Sequence, residues 1–137
     1  MKTGVLLINL GTPDSPSTKD VRRYLTEFLN DPYVIDLPWL KRKLLVNLII
    51  VPFRAPKSAK IYQEIWTKDG SPLMIHGLAL REKLQHSLGD QFGVHFAMRY
   101  QNPSIKSVLK EMSSKNYDKI IVLPLFPQYA SSSTGST

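Results

Sequence analysis

Three short apolar runs, separated by stretches with helical periodicity, constrain this chain more than any other feature. Val5–Asn9 reads as a strand covered on both faces, since apolar side chains continue along it, and Val94–Met98 and the Ile- and Val-rich Lys119–Leu123 read as a second and a third strand. After the turn Gly11-Thr12-Pro13-Asp14-Ser15-Pro16, Ser17 is placed to cap a helix, with Asp20 in capping-box position. Val21, Tyr24, Leu25, Phe28 and Leu29 then recur at i, i+3, i+4, i+7 and i+8, and Asn30-Asp31-Pro32 ends the helix. Pro56 is expected at the first position of another helix, with Ile61, Tyr62, Ile65 and Trp66 on one side and Asp69-Gly70 as its stop. Ser71-Pro72 starts the next, with Leu73, Gly77, Leu80, Leu84 and Leu88 marking its face and Gly89-Asp90 ending it. Asn102-Pro103 is expected to cap a last helix carrying Ile105, Val108, Leu109 and Met112. Strands alternating with helices predict an α/β fold, a parallel sheet with flanking helices. The connection over residues 11–93 far exceeds what a crossover needs, so a long insertion lies between strands 1 and 2. In such sheets ligands sit outside the carboxyl ends of the strands, here Leu10-Gly11, Arg99-Tyr100 and Leu125–Ser133.

A chain of 137 residues is one domain's worth. The absence of cysteine excludes a disulfide framework, a thiolate zinc site and a cysteine-ligated iron–sulfur cluster. Lys2-Thr3-Gly4 ahead of Val5–Leu10 has the outline of a short signal sequence. No small-residue cleavage site follows, and the run meets a Gly-Thr-Pro turn, so a buried strand is the better reading. No stretch approaches the ~18–20 apolar residues of a spanning helix.

The charge is concentrated. Of a net charge of +7, six units fall between Leu37 and Gln63, a window with no acidic residue that holds Lys41, Arg42, Lys43, Arg54, Lys57 and Lys60. Within it runs the apolar stretch Leu44–Phe53. A basic rim with an apolar lip suits a flat, hydrophobic, anionic ligand. It suits an anionic membrane surface as well. The plain alternative is a buried helix with solvated charges at one end. Nucleic acid fits less well, because no helix-turn-helix or RNA-binding signature accompanies the charge.

Nothing in the sequence announces a catalytic base. There is no G-x-G-x-x-G after the first strand and no G-x-x-x-x-G-K. His76, His86 and His95 lack zinc spacing. His86 is expected in solvent, His95 packed or hydrogen-bonded, and His76 in a purely local role. The candidates for holding an anionic ligand are Arg54, Arg99, Tyr62, Tyr129 and Ser71, because an arginine grips a carboxylate bidentately and hydroxyls orient it. Each has an ordinary alternative. Arg99 could pair with a nearby carboxylate, Ser71 could be a helix cap, Tyr62 and Tyr129 could be core, and Arg54 a solvated charge.

Several motifs together resemble one family. Leu7-Ile8-Asn9-Leu10-Gly11-Thr12-Pro13 resembles the opening strand and turn of ferrochelatase, the terminal enzyme of haem synthesis. So do Gly70-Ser71-Pro72-Leu73, Met98-Arg99-Tyr100 followed by Asn102-Pro103-Ser104, Leu123-Pro124-Leu125-Phe126-Pro127-Gln128-Tyr129, and the closing Ser133-Thr134-Gly135-Ser136. The resemblance implies a chelatase-like fold of two Rossmann-like halves with the porphyrin between them. It implies insertion of ferrous iron, as substrate, into protoporphyrin with loss of the two pyrrole protons, from a macrocycle bent so that its nitrogen lone pairs face the metal. Carried onto this sequence, it makes Leu10, Arg54, Tyr62, Ser71, Arg99 and Tyr129 porphyrin-binding residues, and Leu44–Phe53 a hydrophobic lip that some members press against membrane.

Two departures qualify it. The family's metal-binding histidine sits in a Ser-x-His-Gly-x-Pro motif further along, with a partner glutamate later still, and neither occurs in residues 1–137. His76-Gly77-Leu78-Ala79 imitates the motif without its serine and proline. No catalytic or metal-binding residue is therefore expected here, and residues 1–137 are expected to be an N-terminal α/β domain that stops before the second half of a two-domain chelatase. Some members carry a cluster-ligating cysteine where this chain has Ser131, so neither an iron–sulfur cluster nor a covalently bound cofactor is expected. The expected partners are a porphyrin, the missing second half, and the inner face of a membrane touched peripherally through residues 41–54 of a cytoplasmic chain, with no nucleic acid. A binding module without catalysis, or a sibling chelatase for another metal or tetrapyrrole, remain the alternatives.

Overall fold

A computed structural model describes residues 1–137 and orders the sheet around the first strand. Strand β1 (Thr3–Gly11) lies in the middle, with β2 (Phe92–Tyr100) on one side and β3 (Lys119–Pro124) on the other, all parallel. The register runs from Thr3 opposite Phe92 and Lys119 to Gly11 opposite Tyr100. Because side chains alternate along a strand, β1 feeds two cores. Val5 and Leu7 meet Val94, Phe96 and Met98 under α4 (Pro72–Leu88). Leu6 and Ile8 meet Ala97, Val108 and Met112 under α5 (Ile105–Ser113). The continuous apolar character of β1 follows from its being covered on both faces.

The insertion builds a third core beside the sheet. Its helices are α1 (Thr18–Leu29), α2 (Trp39–Leu44) and α3 (Val51–Ile65), with a π-helical turn over Leu45–Ile50 joining the last two. Val21, Tyr24, Leu25 and Leu29 of α1 are buried, as the periodicity predicts, against Val46, Val51, Ala55 and Ala59, with Tyr100 of β2 beneath. The capping box forms only in part. The Ser17 hydroxyl accepts from the Asp20 amide at 3.2 Å, but the Asp20 carboxylate accepts from Ser15 Oγ at 2.6 Å, a bond that helps hold its pKa below the usual carboxylate range.

The expected helix start at Pro56 is wrong. Pro56 lies inside α3, and Pro52 occupies its first turn, where a missing N–H is least felt. The two prolines are four residues apart, so the donor that Pro56 lacks is the one that would have reached Pro52. Just before them the Val51 amide donates to Val46, five residues back. The buried face of α3 is Val51, Ala55 and Ala59, continued by half-buried Tyr62, while Ile61 and Ile65 point to solvent. On α4, Leu80 is exposed and Met74 and Leu78 turn inward instead. Leu109 of α5 is exposed too, and its cap is Ser104, whose hydroxyl accepts from the Ser107 amide at 3.2 Å.

The two sheet edges differ. On β2, the Gln85 side chain takes the place of a neighbouring strand: Val94 N–H donates to Oε1 at 2.8 Å, and Nε2 donates to the Phe92 carbonyl at 2.9 Å. On β3, Ile120, Ile121, Val122 and Leu123 are all exposed, so both faces of that strand are thinly covered. His95 is hydrogen-bonded to the Tyr117 hydroxyl at 2.9 Å and His86 is exposed, both as the sequence suggests, and His76 is exposed as well.

Gly77, next to His76, has a packing role. A Cβ there would overlap the Phe96 ring. Gly77→Ala is predicted to lower stability by about 1–3 kcal/mol through overpacking, despite the helix propensity gained. Urea denaturation checks this, and an unchanged or raised midpoint contradicts it.

Candidate functional site

The carboxyl ends of the strands meet the insertion, as the crevice rule anticipates. Gly11 closes β1 at φ 131°, and a Cβ there would strike the Tyr100 carbonyl, so the ends of β1 and β2 approach as closely as they do only because residue 11 is glycine. The chain then runs through Thr12, Pro13 and Asp14 along a cleft of roughly 480 Å³, whose opposite wall carries Trp66, Ser71 and Met74.

Ser71 stands at the N-cap position of α4, yet its hydroxyl caps nothing. It accepts instead from Thr12 Oγ1 at 2.8 Å, and both residues are buried. This hydroxyl pair ties the β1 turn to the start of α4 at the cleft floor. Tyr62 comes from α3, half-buried, with Tyr24 edge-on at 6.4 Å and Trp66 at 6.3 Å between ring centroids. Burial raises its phenol pKa, against a weaker opposing pull from the Arg54 charge. Tyr62 and Trp66 thus carry an aromatic surface from the α1–α3 core to the cleft wall. Leu10 is half-buried and packs on that same core.

Arg54 lies two turns back on α3, exposed and without an ion pair. It shares a shallow groove of roughly 350 Å³ with Ile49, Phe53 and Lys57. Trp39, Leu40, Leu44, Leu48, Ile49 and Phe53 are likewise exposed, so the basic window carries an open apolar face. One cation in the window differs from the rest. Arg42 is buried, donates Nη1 to the Leu37 carbonyl at 2.7 Å, and leaves Nε without an acceptor.

Arg99 realises its ordinary alternative and pairs with a carboxylate. Its Nη2 donates to Asp31 Oδ2 at 2.6 Å and its Nε to the Ser136 carbonyl. Tyr100 donates its hydroxyl to the same Asp31 oxygen at 2.8 Å, and burial lifts the Tyr100 phenol to about 12. Tyr129 sits on the loop after β3, 77% exposed, with its hydroxyl close to Gly135. The structure therefore places Ser71 in the cleft, brings Tyr62 to it only through Trp66, packs Leu10 on the α1–α3 core, puts Arg54 in a separate groove on the same helix, and draws Arg99 into the protein's own hydrogen bonds. Sequence reasoning missed Thr12 as the partner of Ser71. It also missed Asp31, which had the look of a helix terminator, and Ser136. No local signal marks Asp31, because Arg99 and Tyr100 come to it from 68 and 69 residues away.

With this geometry in view, comparison with known proteins decides the family. A family model described as ferrochelatase matches residues 2–137. The chain belongs to the ferrochelatase family. A ferrochelatase of Coxiella burnetii (strain Dugway 5J108-111) is 55% identical over 135 residues, which is 98% of this chain and 38% of that protein. Ferrochelatase 2 of Shewanella oneidensis is 52% identical over 98% of this chain and 42% of its own length. A ferrochelatase of Legionella pneumophila (strain Paris) is 52% identical over 99% and 40%. The chain thus spans about two fifths of the length of these curated relatives, and its α/β sheet is that of a chelatase-like domain.

Ser71→Ala is predicted to remove about 1 kcal/mol of stability, because the buried Thr12 hydroxyl loses its acceptor. A urea midpoint equal to the unmutated chain's would show that Thr12 finds another acceptor.

Proposed function

We propose that this chain supplies a porphyrin-binding wall of a ferrochelatase, which inserts ferrous iron into protoporphyrin and releases two pyrrole protons. The observation that carries this reading is that a single helix runs from the basic lip to the crevice wall. Trp66 closes α3 in the cleft wall and touches Tyr62, and Arg54, unpaired, lies eight residues before Tyr62 on the same helix. A flat aromatic macrocycle with carboxylate side chains needs an apolar, aromatic surface for its face and a free cation at its rim. Leu10, Tyr62 and Trp66 provide the surface, and Arg54 provides the cation. The Ser71–Thr12 hydroxyls and the Tyr129 phenol are the polar groups that orient the ring. Arg99 stands at the end of β2 and lines a separate hollow with Asp31, Tyr33 and Lys43.

The proton acceptor and the metal ligand that the family resemblance implies lie in the Ser-x-His-Gly-x-Pro motif and a later glutamate, which residues 1–137 do not contain. The residues here bind and orient the porphyrin. The partner we propose for them is a second half that closes over the opposite face of the macrocycle, as the greater length of the relatives and the thinly covered β3 both suggest. No cofactor is assigned to this segment, since ferrous iron enters as substrate.

A second reading rests on the open apolar face of residues 39–53. With Lys41, Lys43, Arg54, Lys57 and Lys60 around it and no acidic residue from Leu37 to Gln63, it suits peripheral contact with an anionic membrane surface. No helix is long and apolar enough to cross a membrane. Such contact would bring an apolar porphyrin to the lip from the lipid phase, at the inner face of a cytoplasmic membrane.

Protoporphyrin titrated into the chain, followed by fluorescence quenching, tests the main reading. Arg54→Ala is predicted to weaken binding by about tenfold, the scale of one charge-assisted hydrogen bond at a partly exposed site, and to leave the melting temperature nearly unchanged. An unchanged Kd with a lowered melting temperature would sink the assignment.

A further inference from the structure

Arg99 is the arginine most readily assigned to a substrate carboxylate, being a cation at the carboxyl end of a strand. Its surroundings argue for another task. The Asp31 side chain is 4% exposed, and its carboxylate accepts from three donors: the Tyr33 amide on Oδ1 at 2.8 Å, and Arg99 Nη2 and the Tyr100 hydroxyl on Oδ2 at 2.6 and 2.8 Å. Arg99 Nε donates to the Ser136 carbonyl, and Ser136 Oγ lies 3.4 Å from the Tyr100 hydroxyl. One buried carboxylate therefore joins three segments distant in sequence: the loop after α1, the end of β2, and the loop after β3 that carries Tyr129.

Charge decides between the two tasks. The field of Arg99 is already cancelled by an anion at 2.6 Å, held where the dielectric is low. A second carboxylate arriving there meets a neutral pair, and it must compete with Asp31 for Nη2 and with the Ser136 carbonyl for Nε. Arg54 has no such neighbour. A chain with one paired and one unpaired arginine has divided two jobs between them.

We propose that Arg99 is a positioning residue that, held by Asp31, fixes the loop over residues 129–137 as a wall of the porphyrin site, and that it is not the grip on a porphyrin carboxylate. This rests on the reading of the crevice as a porphyrin site and deepens it. The shape of the wall, and with it the placing of Tyr129, then depends on Asp31, a residue that touches no substrate.

The test compares protoporphyrin with its dimethyl ester, which has the same ring and no ionised carboxylates. If Arg99 positions the loop, Arg99→Gln weakens binding of both by the same factor, about tenfold, and Asp31→Asn weakens both as well. If Arg99 grips a carboxylate, Arg99→Gln harms only the free acid, and Asp31→Asn tightens the free acid by removing its competitor. The opposite sign for Asp31→Asn overturns the proposal. Hydrogen exchange supplies the readout that general destabilisation would not produce. In Asp31→Asn the Gly135 and Ser136 amides exchange faster while those of β1 keep their protection, and unchanged exchange at Gly135 and Ser136 also overturns it. Should Asp31→Asn fail to fold, Tyr100→Phe, which removes one donor from the same carboxylate, takes its place in both arms. If the unmutated chain binds neither porphyrin, the functional reading fails, and the loop's exchange still decides whether Asp31 holds it.

Discussion

The buried Asp31 carboxylate is the interaction on which the functional end of this molecule depends. A carboxylate removed from water is tolerated only when its oxygens are fully engaged and a cation stands close by. Here the donors come from a turn amide, an arginine and a tyrosine on two different segments, and the arginine passes the connection to a third. Removing any one partner leaves the others with an unmet demand, so the segments stay together or the ion pair fails. The sheet below could form without it, since β1 already pairs with β2 and β3 and feeds a core on each face. What the clasp adds is a defined relation between the insertion and the loop after β3.

That division explains which parts of the fold were legible from sequence. The faces of α1 could be read because burial there follows the helical repeat, with Val21, Tyr24, Leu25 and Leu29 all inside. Strand β1 could be read because a central strand with helices on both faces is apolar without alternation. Pro56 misled because a proline marks a helix start in sequence and gives no hint that a second proline four residues earlier, behind a π-helical turn, already lies in the same helix. Leu80, Leu109, Ile61 and Ile65 misled because apolar residues are also found on surfaces, and periodicity alone does not say which apolar stripe is covered.

The site was legible where its residues carry chemistry in their own right. Arg54 and Tyr62 stood out from an acid-free window, and Ser71 from a glycine-serine-proline turn. Their functions here are proposals: Ser71 lines the strand-end cleft, and Tyr62 and Arg54 follow on the helix that ends in its wall. Asp31 could not be found in this way. Its carboxylate gains meaning only from Arg99 and Tyr100, and the sequence near it says no more than that a helix ends.

The central claim is that the strand-end crevice, its aromatic wall and the clasped loop form one porphyrin-binding surface. A backbone hydrogen-exchange footprint of the chain with and without protoporphyrin tests this most directly. The account predicts added protection at Leu10–Asp14, at Tyr62–Met74 and at Tyr129–Thr137, with α5 and the outer face of α4 unchanged. Protection confined to β3 or to the outer faces of α4 and α5 would place the porphyrin elsewhere and contradict it.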